Sequence, residues 1–179
     1  YSIKEYIYPI MQEKNLKAVV NVEGVFTEAS VEEDVHNPNY SYLTWTEIKE
    51  LCDSGLFEIG NHTYDMHQLK TGRNGCQKKA GESQEEYERA LSADVGQLQQ
   101  LLLDHCSITP ITFAYPYGYI SDESVPILQN MGFRILLTCY ERPNFISITP
   151  TETLILNRYN RSGKLSTEEF MSSLLKVPD

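Results

Sequence analysis

The stretch EIGNHTYDMH, residues 58–67, decides how the rest of the chain can be arranged. It closes an apolar run that begins at Gly55, and a short apolar run that stops at a glycine is typical of a strand. Two histidines, His62 and His67, follow at once, with small and polar residues between them. A strand that ends in this way delivers its side chains to the rim of a sheet.

The spacing of the two histidines favours a bent segment. On a helix, residues five apart are turned roughly 140° from each other, so two such imidazoles could not share one ion. Gly60 and Asn61 tolerate the backbone angles that a bend needs. Neutral imidazole binds zinc, nickel and cobalt, and two of them leave room for a third ligand and water. The pattern predicts a metal site at His62 and His67; the alternative is a surface loop with two unrelated histidines.

Composition bounds the class of protein. A chain of 179 residues with 41% hydrophobic content fits one domain with a sizeable core. The net charge of −10 argues against nucleic acid as a partner, because phosphate binding needs a basic face. No apolar run approaches the roughly 20 residues that span a bilayer, so no membrane-spanning segment is expected. Cys52, Cys106 and Cys139 lie in apolar surroundings, which predicts buried thiols rather than bridges.

Strand and helix patterns alternate along the chain. Capping boxes, with Glu three residues after Ser or Thr, predict helix starts at Ser2, Thr44, Ser83 and Ser166. Apolar runs predict strands at residues 16–22, 55–60, 110–115, 133–138 and 153–159, and loops are expected at 27–42 and 70–81. This alternation predicts a mainly parallel sheet with helices outside it, whose chemistry collects at the carboxyl ends of the strands.

The helix that begins after Ser83 is predicted to be the longest. Its buried stripe is expected to comprise Tyr87, Leu91, Val95, Leu98 and Leu102, which recur at helical spacing. The only tryptophan, Trp45, is expected to lie in the core, because it shares one helix face with other apolar residues.

A second special segment, FAYPYG at residues 113–118, ends the predicted strand at 110–115. It should therefore lie at the same edge of the sheet as the two histidines. An ordinary strand-ending turn is the alternative, because Pro and Gly are the commonest turn residues.

These two segments carry a resemblance to a known family. GNHTYDMH resembles the histidine motif of the polysaccharide deacetylases (NodB homology, carbohydrate esterase family 4), especially the branch that de-N-acetylates poly-N-acetylglucosamine. FAYPYG resembles the substrate-groove motif of that family, and the resemblance runs from Tyr6 to about Phe170. It implies a distorted, incomplete (β/α) barrel. It also implies metal-dependent hydrolysis of N-acetyl groups on N-acetylglucosamine-containing polysaccharide, outside the cell or at its surface.

The resemblance also implies roles for individual residues. His62 and His67 would hold the ion, with zinc expected and nickel or cobalt as alternatives. The backbone N–H of Tyr117 would meet the oxyanion. The substrate groove would be formed by Tyr115, Pro116, Tyr117 and Gly118.

The chain also departs from the family pattern. The family's paired aspartates, one a ligand and one the general base, have no counterpart, and no Asp-Asp pair occurs anywhere. We therefore expect a single domain over residues 1–179 that is truncated at its amino end and lacks the first strand, with an exposed sheet edge through which it could self-associate. A non-catalytic carbohydrate-binding relative, or an inactive fragment, is the alternative. A nucleophile-based α/β hydrolase is disfavoured because no Gly-x-Ser-x-Gly occurs.

Overall fold

The computed structural model describes residues 1–33, 36–69, 72–146 and 153–174, and their five strands form one parallel sheet. The strands lie side by side in chain order: β1 (Ala18–Val22), β2 (Phe57–Asn61), β3 (Thr112–Ala114), β4 (Ile135–Leu137) and β5 (Leu154–Leu156). Parallel neighbours need long crossover connections, and helices lie between the successive strands β1 to β4. The predicted α/β class with a parallel sheet is confirmed.

The described residues also form α-helices before, between and after the strands. They are α1 (Tyr8–Lys14), α2 (Gly24–Glu33), α3 (Trp45–Asp53), α4 (Gln84–Cys106), α5 (Ser124–Asn130) and α6 (Thr167–Leu174). None of these helices combines the length and apolar character that crossing a membrane demands. Within the described ranges, β1 and β5 each pair on one side only, so the barrel implied by the resemblance stays a prediction.

Helix α4 contributes buried side chains to both apolar clusters of the core. The predicted stripe of Tyr87, Leu91, Val95, Leu98 and Leu102 is fully buried. Its carboxyl-terminal half packs in one apolar cluster with β1, β2 and α3, and its amino-terminal half packs in a second cluster with β3, β4 and α5. Trp45 is buried in the first cluster, as predicted, and its ring stacks on that of His105 with 5.1 Å between centroids.

The prediction of a loop over residues 27–42 is wrong for its first part, which belongs to α2. This helix begins on tertiary contacts: the N–H groups of Gly24 and Val25 donate to the carbonyls of Thr63 and Tyr64, at 3.2 and 3.0 Å. These bonds satisfy donors that every helix start leaves without an internal partner. A local pattern could not show them, because the acceptors lie in the histidine loop.

The expected capping box at Ser2 is also wrong, since the Ser2 side chain makes no capping hydrogen bond. The chain forms a π-helical turn over Ile3–Ile7 and only then enters α1, with Pro9 in the first turn. A continuous α-helix would bring the Pro9 ring against the carbonyl of Glu5, and the wider turn avoids this contact.

The other caps formed as predicted. Thr44 and Ser83 make reciprocal capping boxes with the glutamates three residues on, and Ser166 does so with Glu169. All four cysteines are free. The prediction of buried thiols holds for Cys106, but Cys52 is only partly buried and Cys139 is exposed.

Candidate metal centre and substrate groove

The two special segments follow neighbouring strands at one edge of the sheet. His62 comes directly after β2, and the turn at residues 115–118 comes directly after β3. β2 and β3 are paired in parallel, with Asn61 opposite Phe113. Two segments that are far apart in the chain therefore meet, as the rule for carboxyl ends of parallel strands predicts.

The histidine loop is shaped by Asn61 and Thr63. The buried Asn61 side chain donates to the carbonyl of Val95 at 3.0 Å and accepts from the N–H of Thr63 at 2.8 Å. Thr63 has a φ of 75°, so the bend expected at Gly60 and Asn61 is made two residues after Asn61, by a left-handed threonine. Gly60 serves close strand approach instead, because a Cβ there would lie 2.2 Å from the side-chain oxygen of Asn21.

A carboxylate from α4 holds the middle of the loop. The two carboxylate oxygens of Asp94 accept the N–H groups of Tyr64 and Asp65, at 2.7 and 2.9 Å. Burial raises the pKa of Asp94, although both amide hydrogen bonds act against that rise. The Asp65 side chain accepts a hydrogen bond from the nearby Gln68 side chain, at 2.6 Å. The clamp is therefore made by Asp94 and not by Asp65, the carboxylate that lies within the loop itself.

The imidazoles of His62 and His67 lie beside each other, with 4.9 Å between ring centroids. Two imidazoles on one tetrahedral zinc place their centroids about 5 Å apart, given zinc–nitrogen bonds of about 2.0–2.1 Å. His62 Nδ1 lies 2.6 Å from the carbonyl oxygen of Ala114. Because a carbonyl can only accept, Nδ1 carries the proton and Nε2 keeps a free lone pair. Burial lowers the pKa of His62 to about 4, so this imidazole is neutral at neutral pH.

A carboxylate also approaches His67. Glu23 follows the end of β1, and its Oε2 lies 3.6 Å from His67 Nδ1. Only 9% of the Glu23 side chain is exposed. Burial, with Asp65 and Asp94 nearby, raises the pKa of Glu23 to about 8, and burial also lowers the pKa of His67. Both shifts favour the neutral forms, so in the metal-free protein this contact is not a strong ion pair.

These side chains line one cavity of about 290 Å³, together with Asn21 and Tyr42. Two neutral imidazoles and a buried carboxylate are donor types that catalytic zinc sites use, so the chemistry of the residues fits a divalent ion. Among the described residues, however, no three His, Cys, Asp or Glu side chains are already arranged to hold a metal. The geometry therefore presents a pair of imidazoles with a carboxylate beside it.

The segment 115–118 places one side chain against His67, which lines this cavity. Tyr117 is 43% exposed, its ring stacks on His67 with 4.3 Å between centroids, and its hydroxyl donates to the His67 carbonyl at 3.2 Å. Pro116 and Gly118 are buried, and Tyr115 is fully buried with its hydroxyl bonded to Ser124. The Tyr115 ring thus belongs to the core, which leaves Tyr117 as the exposed side chain of this segment.

The same turn holds its backbone in unusual conformations. Tyr117 has a φ of 57° and Gly118 a φ of 74°. A Cβ on Gly118 would lie 2.4 Å from that of Cys139, so only glycine fits there. A left-handed tyrosine is uncommon, and such residues cluster at functional sites.

Comparison with known proteins decides the family. A family model described as polysaccharide deacetylase matches residues 2–136, which is most of the chain. The chain belongs to the polysaccharide deacetylase family. The resemblance drawn from the two motifs is thereby confirmed.

Individual relatives and solved structures are similar to this chain over most of its length. A poly-beta-1,6-N-acetyl-D-glucosamine N-deacetylase of Staphylococcus aureus (strain MRSA252) is 27% identical over 175 residues, which cover 98% of this chain and 54% of the relative. The chain thus spans about half the length of the curated relatives it matches. Among solved structures, a de-N-acetylase from Aggregatibacter actinomycetemcomitans has a TM-score of 0.77 at 19% identity, covering 96% of this chain and 70% of that one. IcaB from Ammonifex degensii has a TM-score of 0.69 at 22% identity, covering 90% and 63%.

Sequence reasoning placed the histidine pair and the Tyr117 turn together, but it missed three polar residues around them. Glu23 and Arg158 each follow the carboxyl end of an edge strand, so the rule for parallel sheets would have drawn attention to both. Arg158 donates to the carbonyl of Thr138 at 2.7 Å, and its charge adds to the burial that lowers the pKa of His62. Asp94 lies inside a helix, and its position gave no such signal.

Proposed function

We propose that this chain removes N-acetyl groups from N-acetylglucosamine-containing polysaccharide by metal-dependent hydrolysis, at the cell surface or outside the cell. The observation that carries the proposal is the His62–His67 pair, at a centroid distance suited to one ion, with the exposed Tyr117 ring stacked against it. Family membership supports the reaction class. The curated relatives named as poly-beta-1,6-N-acetyl-D-glucosamine N-deacetylases support the choice of polymer.

In this proposal His62 and His67 hold the ion, which is zinc, with nickel or cobalt as substitutes. A bound ion of this kind supplies a hydroxide at neutral pH and polarises the acetyl carbonyl. The Ala114 carbonyl keeps the His62 ring in the tautomer that leaves Nε2 free. His62 is also neutral at neutral pH, because burial lowers its pKa to about 4.

Tyr117 has two proposed roles. Its backbone N–H donates to the oxyanion that forms when the acetyl carbonyl is attacked, and one such donor is worth about 3–4 kcal/mol. Its ring, held flat against His67, offers an apolar face to the sugar. Pro116 and Gly118 shape the backbone on either side, and Tyr115 anchors the turn in the core.

A second candidate is carbohydrate binding without catalysis. It is favoured by one observation: the described residues contain no ready group of three metal-binding side chains. Catalytic zinc sites normally use three protein ligands. A chain with two would hold zinc weakly and still offer Tyr117 to a sugar.

Incubating the chain with short β-1,6-linked N-acetylglucosamine oligomers, with zinc, cobalt or nickel added in turn, separates the two candidates. Hydrolysis predicts acetate release that needs the ion, stops with a chelator and is lost in His62→Ala and His67→Ala. Oligomer binding without acetate release, whichever ion is added, would establish the binding protein instead. Neither binding nor release would reject both.

A variant of Tyr117 tests the groove. Tyr117→Ala should raise KM about tenfold, because the sugar loses its stacking face, whereas Tyr117→Phe keeps the ring and should stay near wild type. Tyr119→Ala is the matched control, since Tyr119 is 41% exposed and its ring lies 6.2 Å from that of Tyr117. Equal KM values for Tyr117→Ala and Tyr119→Ala would show that no sugar stacks on Tyr117.

A further inference from the structure

Glu23 is a carboxyl group with little solvent exposure, and its one ion-pair contact in the described part of the chain is with the imidazole of His67. Only about a tenth of its side chain is exposed to solvent. Among the described residues, its carboxylate oxygens take part in no hydrogen bond. The group lines the cavity that holds His62 and His67. A carboxyl group that lines a cavity and has little solvent exposure is placed to accept a hydrogen bond from a donor beside it.

The neighbouring imidazole suggests what that function is. A ring that binds a metal through one nitrogen usually donates the N–H of the other to a carboxylate or carbonyl, which sets its tautomer and orientation. His62 already has this arrangement, with Ala114 as the acceptor of Nδ1–H at 2.6 Å. His67 presents Nδ1 to Glu23 Oε2 in the same sense, at 3.6 Å.

Stacking on Tyr117 orients the His67 ring only in part, so a second contact is needed to complete its orientation. The Tyr117 ring lies nearly parallel to the His67 ring, at an interplanar angle of 16°, and so restricts its tilt. Stacking fixes the plane of the imidazole but leaves open a 180° flip about its Cβ–Cγ bond, so a polar partner must decide which ring edge faces the cavity. A distance of 3.6 Å is longer than a hydrogen bond, and catalytic hydrogen bonds in unliganded sites are often long and tighten only in the complex.

We propose that Glu23 is a positioning residue of the metal centre: its carboxylate accepts the Nδ1–H of His67 and so presents Nε2 of that ring to the ion. The inference rests on the proposed metal centre at His62 and His67. It assigns Glu23 an orienting role and not a place among the ligands, in agreement with the lack of a ready three-ligand group in the described ranges.

Zinc affinity of three variants tests the proposal. Glu23→Met keeps an unbranched side chain of similar size but no acceptor, and should weaken zinc binding about 10–100-fold, the usual cost of losing such a partner. Glu23→Gln keeps an acceptor oxygen and should weaken it less than about tenfold. Glu28→Gln is the control, because Glu28 accepts the Tyr64 hydroxyl at 2.6 Å from the same side of the loop without touching His67. It should bind zinc as the wild type does.

Proton–nitrogen NMR of the zinc-loaded protein supplies a readout that a merely structural role would not move. The Nδ1 proton of His67 should exchange slowly with water in the wild type, shift in Glu23→Gln, and exchange rapidly in Glu23→Met. If Glu23→Met does not fold, as judged by circular dichroism, the shift and the smaller affinity loss in Glu23→Gln decide the matter.

The outcomes separate the two proposals. If Glu23→Met binds zinc as tightly as the wild type, the role of Glu23 is refuted while the metal centre stands. A large affinity loss with an unchanged Nδ1 proton also refutes it, because Glu23 would then be a direct ligand. If the wild type binds no zinc, the metal centre and this inference fall together.

Discussion

Single buried polar side chains shape the site as much as the histidines do. Asn61 satisfies one backbone donor of the loop and one carbonyl of α4, which lets Thr63 occupy a left-handed conformation beside His62. Such a conformation costs of order 1–3 kcal/mol for a residue other than glycine and persists only where neighbours determine it. The loop is therefore held by hydrogen bonds at specific atoms as well as by the packing of Tyr64 and Met66 against the two apolar clusters.

Arg73 and Glu82 form an ion pair that is largely removed from solvent. The Arg73 guanidinium lies 2.5 Å from Glu82, with about a tenth of each side chain exposed, and Glu82 also accepts the N–H of Lys79 at 2.9 Å. Burial alone would raise the pKa of Glu82, but the hydrogen bonds from Arg73 and Lys79 outweigh it and lower that pKa. A lowered folded pKa means that the stabilisation is present above the unfolded value of 4.5 and is lost as pH falls through the folded value.

Glu82→Gln should accordingly reduce the free energy of unfolding by about 1–2 kcal/mol at pH 7 and flatten its fall below pH 4.5. Urea unfolding at a series of pH values measures both effects. Glu85→Gln, at an exposed position on the next helix, should change neither. The same acid dependence in Glu82→Gln and in the wild type would contradict the argument.

At the scale of elements, α4 supports the histidine loop as well as the core. The apolar stripe of α4 faces the sheet, while Asp94 reaches from the same helix to the two amides in the middle of the loop. Helix α2 holds the loop from the other side, because its first two N–H groups donate to Thr63 and Tyr64 carbonyls. The loop between the histidines thus bridges two helices.

Asp94→Ala should therefore loosen the loop without unfolding the helix. Losing two charge-assisted hydrogen bonds should cost about 1–3 kcal/mol in unfolding free energy and speed amide hydrogen exchange at Tyr64 and Asp65 at least about tenfold. Asp104→Asn is a matched control, since Asp104 bonds only to the exposed Gln100 side chain of the same helix. Unchanged exchange at Tyr64 and Asp65 in Asp94→Ala would show that the clamp does not hold the loop.

At the scale of the whole molecule, the two apolar clusters are joined through one helix. Leu98 and Leu102 of α4 pack with Trp45 and the first two strands, and Tyr87, Leu91 and Val95 pack with the later strands. A continuous helix that contributes to both clusters couples their unfolding. The site lies where the two clusters meet, at the ends of β2 and β3, so its geometry depends on both.

Replacing adjacent leucines tests this coupling. Leu102→Ala should lower the free energy of unfolding by about 2–5 kcal/mol, because Leu102 is fully buried. Leu103→Ala should cost under about 1 kcal/mol, because Leu103 is 47% exposed. Urea transitions followed by Trp45 fluorescence, which reports the first cluster, and by far-ultraviolet circular dichroism should coincide in both variants. Separate transitions would mean that the clusters unfold independently.

Patterns between close neighbours in the chain were predicted well. The capping boxes at Thr44 and Ser83, the buried stripe of α4 and the positions of the strands along the chain depend on residues a few positions apart, and these formed as expected. Elements held by distant partners were predicted badly. Helix α2 overlaps the predicted loop at 27–42. The sequence pattern does not reveal this helix, because the carbonyls that accept its first N–H groups belong to the histidine loop.

The sequence by itself determined the α/β class, the family and the two segments that carry the site, since each of these is written in residue types and local spacing. Only the tertiary structure decided which groups surround the histidines. The Ala114 carbonyl is 52 residues from His62 in the chain, and Asp94 is 30 from Tyr64. Such contacts follow from sheet register and helix packing, which bring together atoms whose separation along the chain leaves no local pattern to detect.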